Sequence, residues 1–288
     1  MNTDSEIEKK INRKKLLINI LLFAAFPIIC LVFALIGKWL IFGIVLLIYL
    51  AVFVYIKLEN IYLIQTGYFD KKGELQKTLK PAYKAYKIKN STIDTANIFI
   101  YMLLKAGKYD KALEITEDNR NRYMTEDQYI AFSSNEALAL WKTGKTEQSV
   151  ALFDKIASKF ESTSLYVSYG TVLTYSDDLN KALQVNKKAY EYNSGSKGIK
   201  DNLAYTYFLI GDTDRARRMY DELLSEPLNF PEAYYNAALV YCSQGDYDEG
   251  VRLMKSALTK QFNGLTAVTK EEISEKIDYL NRGQGALV

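Results

Sequence analysis

One short pattern recurs along residues 107–250 and constrains the fold more than any other feature of the chain. It begins with glycine or aspartate, has tyrosine, threonine or leucine two residues later, and ends with a small residue. It appears as GKYDKA at 107, GKTEQS at 144, DDLNKA at 177, GDTDRA at 211 and GDYDEG at 245, so successive copies start 37, 33, 34 and 34 residues apart. A period near 34 is typical of stacked helical pairs, which bury their apolar faces against neighbouring pairs. The period therefore predicts an α-solenoid.

Each letter of the pattern has a physical role in such a pair. Glycine can adopt the positive φ that ends the first helix, and the charged residue that often follows stays in solvent. The small residue lets the second helix cross the first closely. Apolar residues at helical spacing then fill the interfaces between pairs, in the stretches ALALW (137–141), LAYTYFLI (203–210) and AALVY (237–241).

The pattern and its period resemble the tetratricopeptide repeat (TPR) family. In that family's register, five repeats begin near Ile93, Ile130, Thr163, Lys197 and Pro231. The last unit has the expected aromatic, small, tyrosine and alanine residues, which are Tyr234, Ala238, Tyr241 and Ala257. The fourth unit has Ala204, Tyr207, Gly211, Ala216 and Tyr220 in the corresponding places. The resemblance implies an all-α, TPR-like solenoid over residues 93–268.

Two repeats depart from the family pattern. The first has Thr116 and Asn119 where the family prefers a large apolar residue and alanine. The third has Asp177 in place of the turn glycine. No unit has proline at position 32 of the repeat.

Residues 58–92 resemble a degenerate sixth unit, because Gly73 lies 34 residues before Gly107. Pro81 falls within the expected second helix of this unit and favours a break or a late start there, since proline cannot donate a backbone hydrogen bond. The segment is therefore either a degenerate first repeat or a juxtamembrane linker. With it, the solenoid is predicted to contain five to six helical pairs.

Residues 269–288 are predicted to close the solenoid. Thr269 and Glu272 have the spacing of a capping box, and they open the sequence KEEISEKIDYLNR, a helix whose charged residues can face water. A terminal repeat needs such a polar cover. This region is therefore interpreted as a C-terminal capping helix followed by a short tail.

An apolar stretch precedes the repeats. The residues from Leu16 to Ile56 number 41 and contain one charge, Lys38. A bilayer core about 30 Å thick takes about 20 helical residues. The stretch divides at Gly37-Lys38, which predicts a transmembrane helical hairpin over residues 16–57 with a very tight turn. It is too long for the apolar core of a cleaved signal peptide.

Individual residues of this stretch fit the hairpin. Trp39 at the turn and Tyr49 and Tyr55 nearer the other side suit aromatic anchoring at the membrane interfaces. Pro27 is expected to kink the first helix. Asn19 is interpreted as a residue at headgroup depth, with a hydrogen bond to the second span as the alternative.

The distribution of charge orients the hairpin. Basic residues flank both outer ends: Lys9, Lys10, Arg13, Lys14 and Lys15 before it, and Lys57, Lys71, Lys72, Lys77 and Lys80 after it. Under the positive-inside rule, the N-terminal segment 1–15 and the solenoid both face the cytoplasm. The abundance of Lys, Ile, Asn and Tyr resembles that of AT-rich bacteria. An integral protein of a bacterial cell membrane is expected.

The composition argues against enzymatic chemistry. The chain has no histidine and two cysteines, Cys30 and Cys242, so histidine-dependent catalysis and four-ligand cysteine sites are excluded. No phosphate-binding glycine motif occurs, and the basic excess lies beside the apolar stretch instead of on the repeats. The sequence thus predicts no enzyme, no cofactor, no metal and no nucleic-acid partner. Cys242 is expected to be a packed thiol.

The TPR resemblance implies a concave groove lined by the first helices of successive repeats. A protein or peptide ligand is expected there, with amides bonding to its backbone, aromatics supplying contact area and lysines meeting acidic groups. The implied partner-binding residues are Asn97, Tyr101, Lys105, Asn135, Trp141, Lys142, Tyr175, Asn202, Tyr205, Phe208, Tyr235 and Asn236. The family's three-repeat basic clamp for a C-terminal carboxylate is not matched.

Two functions are compatible with this organisation. In the first, the chain is a membrane-anchored scaffold that recruits a partner to the cytoplasmic face of the bilayer through the groove. In the second, it is a regulatory or accessory subunit of a membrane transporter or membrane enzyme complex, and the hairpin makes the main contacts. A polar stripe through the spans would favour the second.

Overall fold

The computed structural model describes Arg13, Leu16, Leu17 and residues 20–282. Most of the basic N-terminal segment, together with Asn19 and the tail from residue 283, lies outside the described residues. The described part contains fourteen α-helices and no strand. The chain divides into two compact units, residues 1–64 and 65–288, which are described in turn.

The first unit contains a helix–turn–helix. A π-helical turn, Leu21–Ala25, leads directly into α1 (Phe26–Leu35), with Pro27 in the first turn of α1. A proline has no N–H to bond to the carbonyl one turn earlier, and a π-helical turn is a common way to accommodate such an interruption. The irregularity expected at Pro27 is thus a change of helical type.

A tight turn connects α1 to α2 (Trp39–Lys71). Gly37 has φ of +71°, and the N–H of Lys38 donates to the carbonyl of Phe33 at 3.0 Å. The rings of Phe26 and Tyr49 lie 5.5 Å apart between centroids. The chain therefore reverses direction at the predicted joint, and these two rings are in contact across the turn.

The two predicted membrane spans differ in helix length. Among the described residues, α2 is the one helix long and apolar enough to cross a membrane, and α1 has only 10 residues. The predicted pair of spans is therefore not confirmed.

The second unit is a series of helical pairs. Its helices are α3 (Leu75–Tyr86), α4 (Ile93–Lys105), α5 (Tyr109–Asn119), α6 (Glu126–Lys142), α7 (Thr146–Ala157), α8 (Thr163–Thr174), α9 (Leu179–Tyr192), α10 (Lys197–Leu209), α11 (Thr213–Leu223), α12 (Pro231–Ser243), α13 (Tyr247–Leu258) and α14 (Lys270–Asn281). The first helices of the five predicted repeats are α4, α6, α8, α10 and α12. This is the all-α solenoid that the period predicted.

Four of the five first helices begin at a threonine or serine N-cap. The side chains of Thr92, Thr125, Ser162 and Ser196 each accept a hydrogen bond from the backbone N–H three residues later. Such caps satisfy one of the donors that a helix N-terminus leaves open. Thr125 forms a full capping box with Gln128. It starts α6 one turn before Ile130, where the repeat register had placed the second unit.

Glycine turns separate the helices of most pairs. Gly73, Gly107, Gly144, Gly211 and Gly245 have φ between +70° and +87°, as the repeated pattern predicted. In the third repeat the chain turns at Asp177 without a positive φ, and the side chain of Asp178 caps α9 instead.

The small residue of the pattern lies where the two helices of a pair cross. Ala112, Ser149, Ala182 and Ala216 are fully buried. In the last repeat a Cβ on Gly250 would lie 2.2 Å from Sγ of Cys242. The close crossing therefore requires glycine there, and it buries the Cys242 thiol as expected.

The apolar core runs along the solenoid as successive clusters. One joins α3 to α6, a second joins α6 to α9, and a third joins α10 to α14. The polar residues of the first repeat are accommodated locally, since Asn119 donates to the carbonyl of Ile115 at 2.7 Å and Thr116 donates to that of Ala112 at 2.9 Å. Stability is thus distributed between neighbouring pairs.

The two ends of the solenoid are also helical. Helix α3 follows Gly73 and continues through Pro81 without a break. At the other end, Thr269 and Glu272 form the predicted capping box of α14. Ile273 and Ile277 of α14 are buried in the last cluster, while its glutamates face outward.

Candidate functional site

The inner face is the surface formed by the first helices α4, α6, α8, α10 and α12. A non-helical stretch of the chain itself, residues 260–268 (KQFNGLTAV), crosses this face between α13 and α14. We call it the crossing segment. It contains a turn in which the N–H of Thr266 donates to the carbonyl of Asn263 at 3.0 Å. It reaches from the last repeat back to the turn between α4 and α5.

Main-chain groups of the crossing segment make most of its polar contacts with the inner face. The N–H of Gly264 donates to the carbonyl of Lys105 at 2.7 Å, and the hydroxyl of Tyr109 donates to the carbonyl of Gly264 at 2.6 Å. Nζ of Lys142 donates to the carbonyl of Thr266 at 2.7 Å. Such contacts involve the backbone of the crossing segment and not its side chains.

A fourth bond joins the crossing segment to the last repeat. The N–H of Ala267 donates to Oε1 of Glu232 at 2.9 Å. Glu232 lies in the first turn of α12, where a carboxylate is favoured by the helix dipole. Burial raises the pKa of Glu232, and the Ala267 bond opposes that rise.

Close backbone approach fixes the position of Gly264. A Cβ at this residue would lie 2.3 Å from the carbonyl oxygen of Leu104 and 2.6 Å from the nitrogen of Gly107. Leu265 packs against the cluster of α3–α6, and Phe262 packs against that of α10–α14. The crossing segment therefore links the two ends of the solenoid core.

A cavity of about 640 Å³ remains beside the crossing segment. Its wall includes residues from α4, α6, α8, α10 and α12, and the crossing segment forms one side. The lining residues used below are Tyr101, Trp141, Tyr175, Lys197, Asp201, Asn202 and Glu232. A volume of this size is typical of small-ligand sites.

Aromatic rings form one wall of the cavity. Trp141 and Tyr175 have ring centroids 6.4 Å apart, and the Tyr175 ring continues to Tyr205 at 5.6 Å. Nζ of Lys142 lies 4.3 Å from the Trp141 ring centroid. Burial lowers the pKa of Lys142, while the charges of Glu232 and Glu272 oppose that change.

A residue with a buried carboxyl group, Asp201, also lines the cavity. Asp201 is 4% exposed, and its Oδ1 accepts from the hydroxyl of Tyr220 at 2.8 Å and from Nδ2 of Asn236 at 3.3 Å. Burial raises the pKa of Asp201 to about 7, and the charge of Glu232 adds to the rise. The cavity thus combines aromatic faces with two carboxyl groups of raised pKa.

The structure brings several sequence-predicted residues to the cavity or the crossing segment. Tyr101, Trp141, Tyr175 and Asn202 line the cavity, and Lys142 bonds to the crossing segment. Asn202 also donates to the carbonyl of Val167 at 3.0 Å.

Other predicted residues bond within the solenoid. Nδ2 of Asn135 donates to Oδ1 of Asn97 at 2.6 Å, and Lys105 pairs with Asp70. Asn236 is buried and accepts from the hydroxyl of Tyr175 at 3.2 Å. The Asn97–Asn135 and Tyr175–Asn236 bonds link first helices, and the Lys105–Asp70 pair links α4 to the end of α2.

Three predicted aromatics lie away from the cavity lining. Tyr205 and Phe208 stack at 6.0 Å on α10 and extend the Tyr175 row. Tyr235 lines a separate surface depression with Glu272, Glu275, Lys276 and Tyr279. The predicted set therefore divides between the cavity, the contacts of the solenoid and a second surface.

Sequence reasoning missed Asp201, Glu232 and the crossing segment. Asp201 and Glu232 occupy positions 5 and 2 of their repeats, which the family register directs into the groove, and charge at such positions was a usable signal. The crossing segment has no periodic pattern, so only its place between the last repeat and the cap distinguished it.

Comparisons with known proteins agree with this architecture. A family model described as tetratricopeptide repeat matches residues 201–227 and 232–261. A model described as PPR repeat matches residues 94–118. A TPR repeat-containing protein of Methanocaldococcus jannaschii is 24% identical over 199 residues, which cover 67% of this chain and 34% of the relative. The chain thus spans about a third of that relative's length.

One of two solved structures compared with the chain has a TM-score above 0.5 and is similar in fold. The pilF structure of Pseudomonas aeruginosa has a TM-score of 0.52 at 12% identity, covering 77% of this chain and 99% of that one. A tetratricopeptide repeat protein from Parabacteroides merdae has a TM-score of 0.45 at 15% identity, covering 76% and 97%.

The paired helices and the inner face define the class of α-solenoid scaffolds. Within that class, the chain is similar to tetratricopeptide-repeat proteins, and the tetratricopeptide-repeat model matches its last two repeats, at residues 201–227 and 232–261. Proteins of this fold are generally scaffolds without catalytic activity, and no group of metal-binding side chains occurs among the residues that the structure describes.

Proposed function

We propose that this protein is a membrane-anchored TPR scaffold. Its inner face binds an extended peptide of a protein partner and recruits that partner to the cytoplasmic face of a bacterial membrane. Anchoring raises the effective concentration of a partner near membrane-bound clients without adding a contact.

The observation that carries this proposal is the crossing segment. The inner face and the adjoining start of α5 already bind main-chain groups of a non-helical segment, through the Lys105 carbonyl, the Tyr109 hydroxyl, the Lys142 ammonium and the Glu232 carboxylate. A cavity of about 640 Å³ lies directly beside it. A partner peptide can bind in this cavity beside the crossing segment, or it can displace the segment and use the same main-chain contacts.

The properties of the first unit support the anchor. Large apolar side chains of α1 and α2 face outward, among them Leu35, Leu40, Leu47 and Ile48. A soluble domain rarely exposes so large an apolar surface. The α1–α2 packing at Phe26 and Tyr49 supports a hairpin of two spans, and the flanking lysines support cytoplasmic ends.

Photocrosslinking in living cells tests the proposal. A photoreactive amino acid placed at Trp141, which lines the cavity, is expected to give a discrete crosslinked protein that mass spectrometry can identify. The matched control is the same amino acid at Lys187, which is exposed on α9, the second helix of its pair. The Lys187 variant should not give that product.

Two outcomes would contradict groove binding. One is the absence of a product from Trp141 and from Tyr205, which follows Tyr175 in the same aromatic row. The other is an identical product from Trp141 and Lys187, since nonspecific proximity would then explain both. Expression and membrane fractionation of each variant establish that the protein is present in the membrane.

A further inference from the structure

We propose that the cavity binds a cationic side chain of the partner, an arginine or a lysine, between the carboxyl groups of Asp201 and Glu232 and the aromatic wall of Trp141 and Tyr175. This inference deepens the proposed function and rests on it. It adds a chemical class to the ligand, namely a peptide with a basic residue at the position that reaches the cavity.

The charges around Asp201 favour a cation. Its Oδ1 accepts two hydrogen bonds from neutral groups, Tyr220 and Asn236, and no cation of the described residues forms an ion pair with it. A buried carboxyl without a cationic partner is costly when ionised. A ligand cation in the cavity would offset that cost.

The nearby lysines are already bonded elsewhere. Lys142 donates to the carbonyl of Thr266 and lies over Trp141. Lys197 lines the cavity, but its Nζ pairs with Glu226 at 2.7 Å. Neither lysine forms an ion pair with Asp201. The carboxyl groups of Asp201 and Glu232 therefore outnumber the one buried ammonium group near them, that of Lys142.

The aromatic wall adds a second attraction for a cation. The faces of Trp141 and Tyr175 border the same cavity as the Asp201 carboxyl. Ring faces attract guanidinium and ammonium groups, most strongly where water is excluded. Arginine suits this site especially well, because its planar guanidinium can stack on a ring and donate to a carboxylate together.

If the cavity binds a cation beside Asp201, the affinity for that cation should depend on pH. The groups that face Asp201 are Tyr175, Tyr205, Tyr220 and Glu232. The tyrosines are neutral at pH 6–8 because burial raises their pKa values, so Asp201 is the main titrating group beside Glu232. A cation favours the ionised carboxyl, and with a pKa of about 7 in the free protein affinity should fall about tenfold from pH 8 to pH 6.

The test uses two small probes on the full chain in detergent micelles. Nα-acetyl-arginine amide carries the cation, and Nα-acetyl-citrulline amide has nearly the same shape without the charge. Titration by isothermal calorimetry or ligand-observed NMR should show the arginine probe binding at least tenfold tighter at pH 8. This preference should shrink about tenfold at pH 6.

Two variants complete the design. Asp201→Asn keeps an acceptor oxygen for Tyr220 and Asn236, and it should remove the preference for arginine and its pH dependence. Asp110→Asn removes a charge from an exposed position on α5 and should leave both unchanged. Circular dichroism of each variant checks that it is folded.

Each result supports or contradicts the inference. Equal affinity for the two probes, or a preference for arginine that survives Asp201→Asn, would overturn it. If a partner crosslinks at Trp141 while the probes bind equally, the proposed function stands and only the cationic specificity fails. If the arginine preference is present but no partner crosslinks, the peptide-recruitment function fails instead.

Discussion

Asp201 shows how a single residue links the fold to its pH dependence. Its carboxyl is held by Tyr220 and Asn236, so it fixes α11 and α12 against α10. The same burial raises its pKa to about 7, well above the ordinary value of about 3.9. The folded state therefore keeps a proton that the unfolded chain loses at much lower pH.

The sign of the resulting effect on stability follows directly. Between about pH 4 and pH 7 the folded state binds more protons at Asp201, so the free energy of unfolding decreases as pH rises, by up to about 4 kcal/mol. Asp201→Asn cannot titrate. We expect this variant to be more stable than the parent at pH 8, and this advantage should be much smaller at pH 5. Thermal unfolding followed by circular dichroism across pH 5–8 measures the difference.

Asp110→Asn is the matched control and should follow the parent at every pH. In Asp201→Asn the free energy of unfolding should still decrease somewhat as pH rises, because the pKa of Glu232 is raised as well. Parallel curves for Asp201→Asn and the parent would contradict the assignment of this pH dependence to Asp201.

Gly264 offers a second test at the scale of one residue. Its missing side chain allows contact with the backbone of Leu104 and Gly107, so Gly264→Ala must move the crossing segment or the α4–α5 turn. We expect a cost of about 1–3 kcal/mol in unfolding free energy, as for other overpacked sites. Hydrogen exchange should become faster at residues 260–268.

Gly195→Ala provides the comparison for Gly264. Its Cβ would meet Oδ1 of Asn193 at 3.4 Å, and its φ is not in the left-handed region, so the change should cost less than about 0.5 kcal/mol. If both substitutions leave exchange at residues 260–268 unchanged, the crossing segment does not depend on the close approach at Gly264.

The helices illustrate what a repeated pattern can and cannot predict. The pattern at residues 107–250 anticipated the turn glycines and the buried small residues, because both follow from how two helices cross. It did not anticipate the earlier start of α6, which depends on the local Thr125–Gln128 capping box. Nor did it anticipate that α3 continues through Pro81, where tertiary burial outweighs the lost backbone bond.

The candidate site was only partly predictable for a related reason. The repeat register indicates which side chains face inward, and on that basis Tyr101, Trp141, Tyr175 and Asn202 were named as partner-binding candidates. The structure places these four residues in the lining of the cavity, and their role in binding stays a prediction. It contains no information on what covers the inner face. The crossing segment is aperiodic and contacts residues more than 100 positions away, such as Lys142 and Thr266, so no local rule locates it.

The capping helix allows a test at the scale of an element. The Thr269 hydroxyl accepts from the N–H of Glu272 at 3.1 Å, and Oε2 of Glu272 accepts from the N–H of Thr269 at 2.6 Å. Thr269→Ala removes the cap, and we expect a loss of about 1 kcal/mol. Because α14 covers the last repeat through Ile273 and Ile277, hydrogen exchange should rise first in α14 and α13.

Ser274→Ala is the control for Thr269. Ser274 is exposed within α14, and alanine is the better helix former, so this change should be neutral or slightly stabilising. A loss of similar size in both variants would indicate that the capping box contributes nothing specific.

At the scale of the whole molecule, the proposed function depends on which side of the membrane each part occupies. The first unit exposes a broad apolar surface and the second carries the inner face, so anchoring and binding are assigned to separate parts of the chain. Basic residues before residue 16 and after residue 56 predict cytoplasmic ends. The turn at Lys38 must then reach the opposite side of the bilayer.

Cysteine labelling tests this topology in the intact cell. Both native cysteines, Cys30 and Cys242, are replaced by alanine, and a single cysteine is introduced at Lys38 or at Lys187 on α9. A membrane-impermeant maleimide should label Lys38→Cys in intact cells, because two spans place the turn outside. Lys187→Cys, which is exposed on the solenoid surface, should react only after the cells are permeabilised. Labelling of Lys187→Cys in intact cells would show that the solenoid lies outside the cytoplasm. Protection of Lys38→Cys until permeabilisation would exclude a hairpin that crosses the bilayer twice.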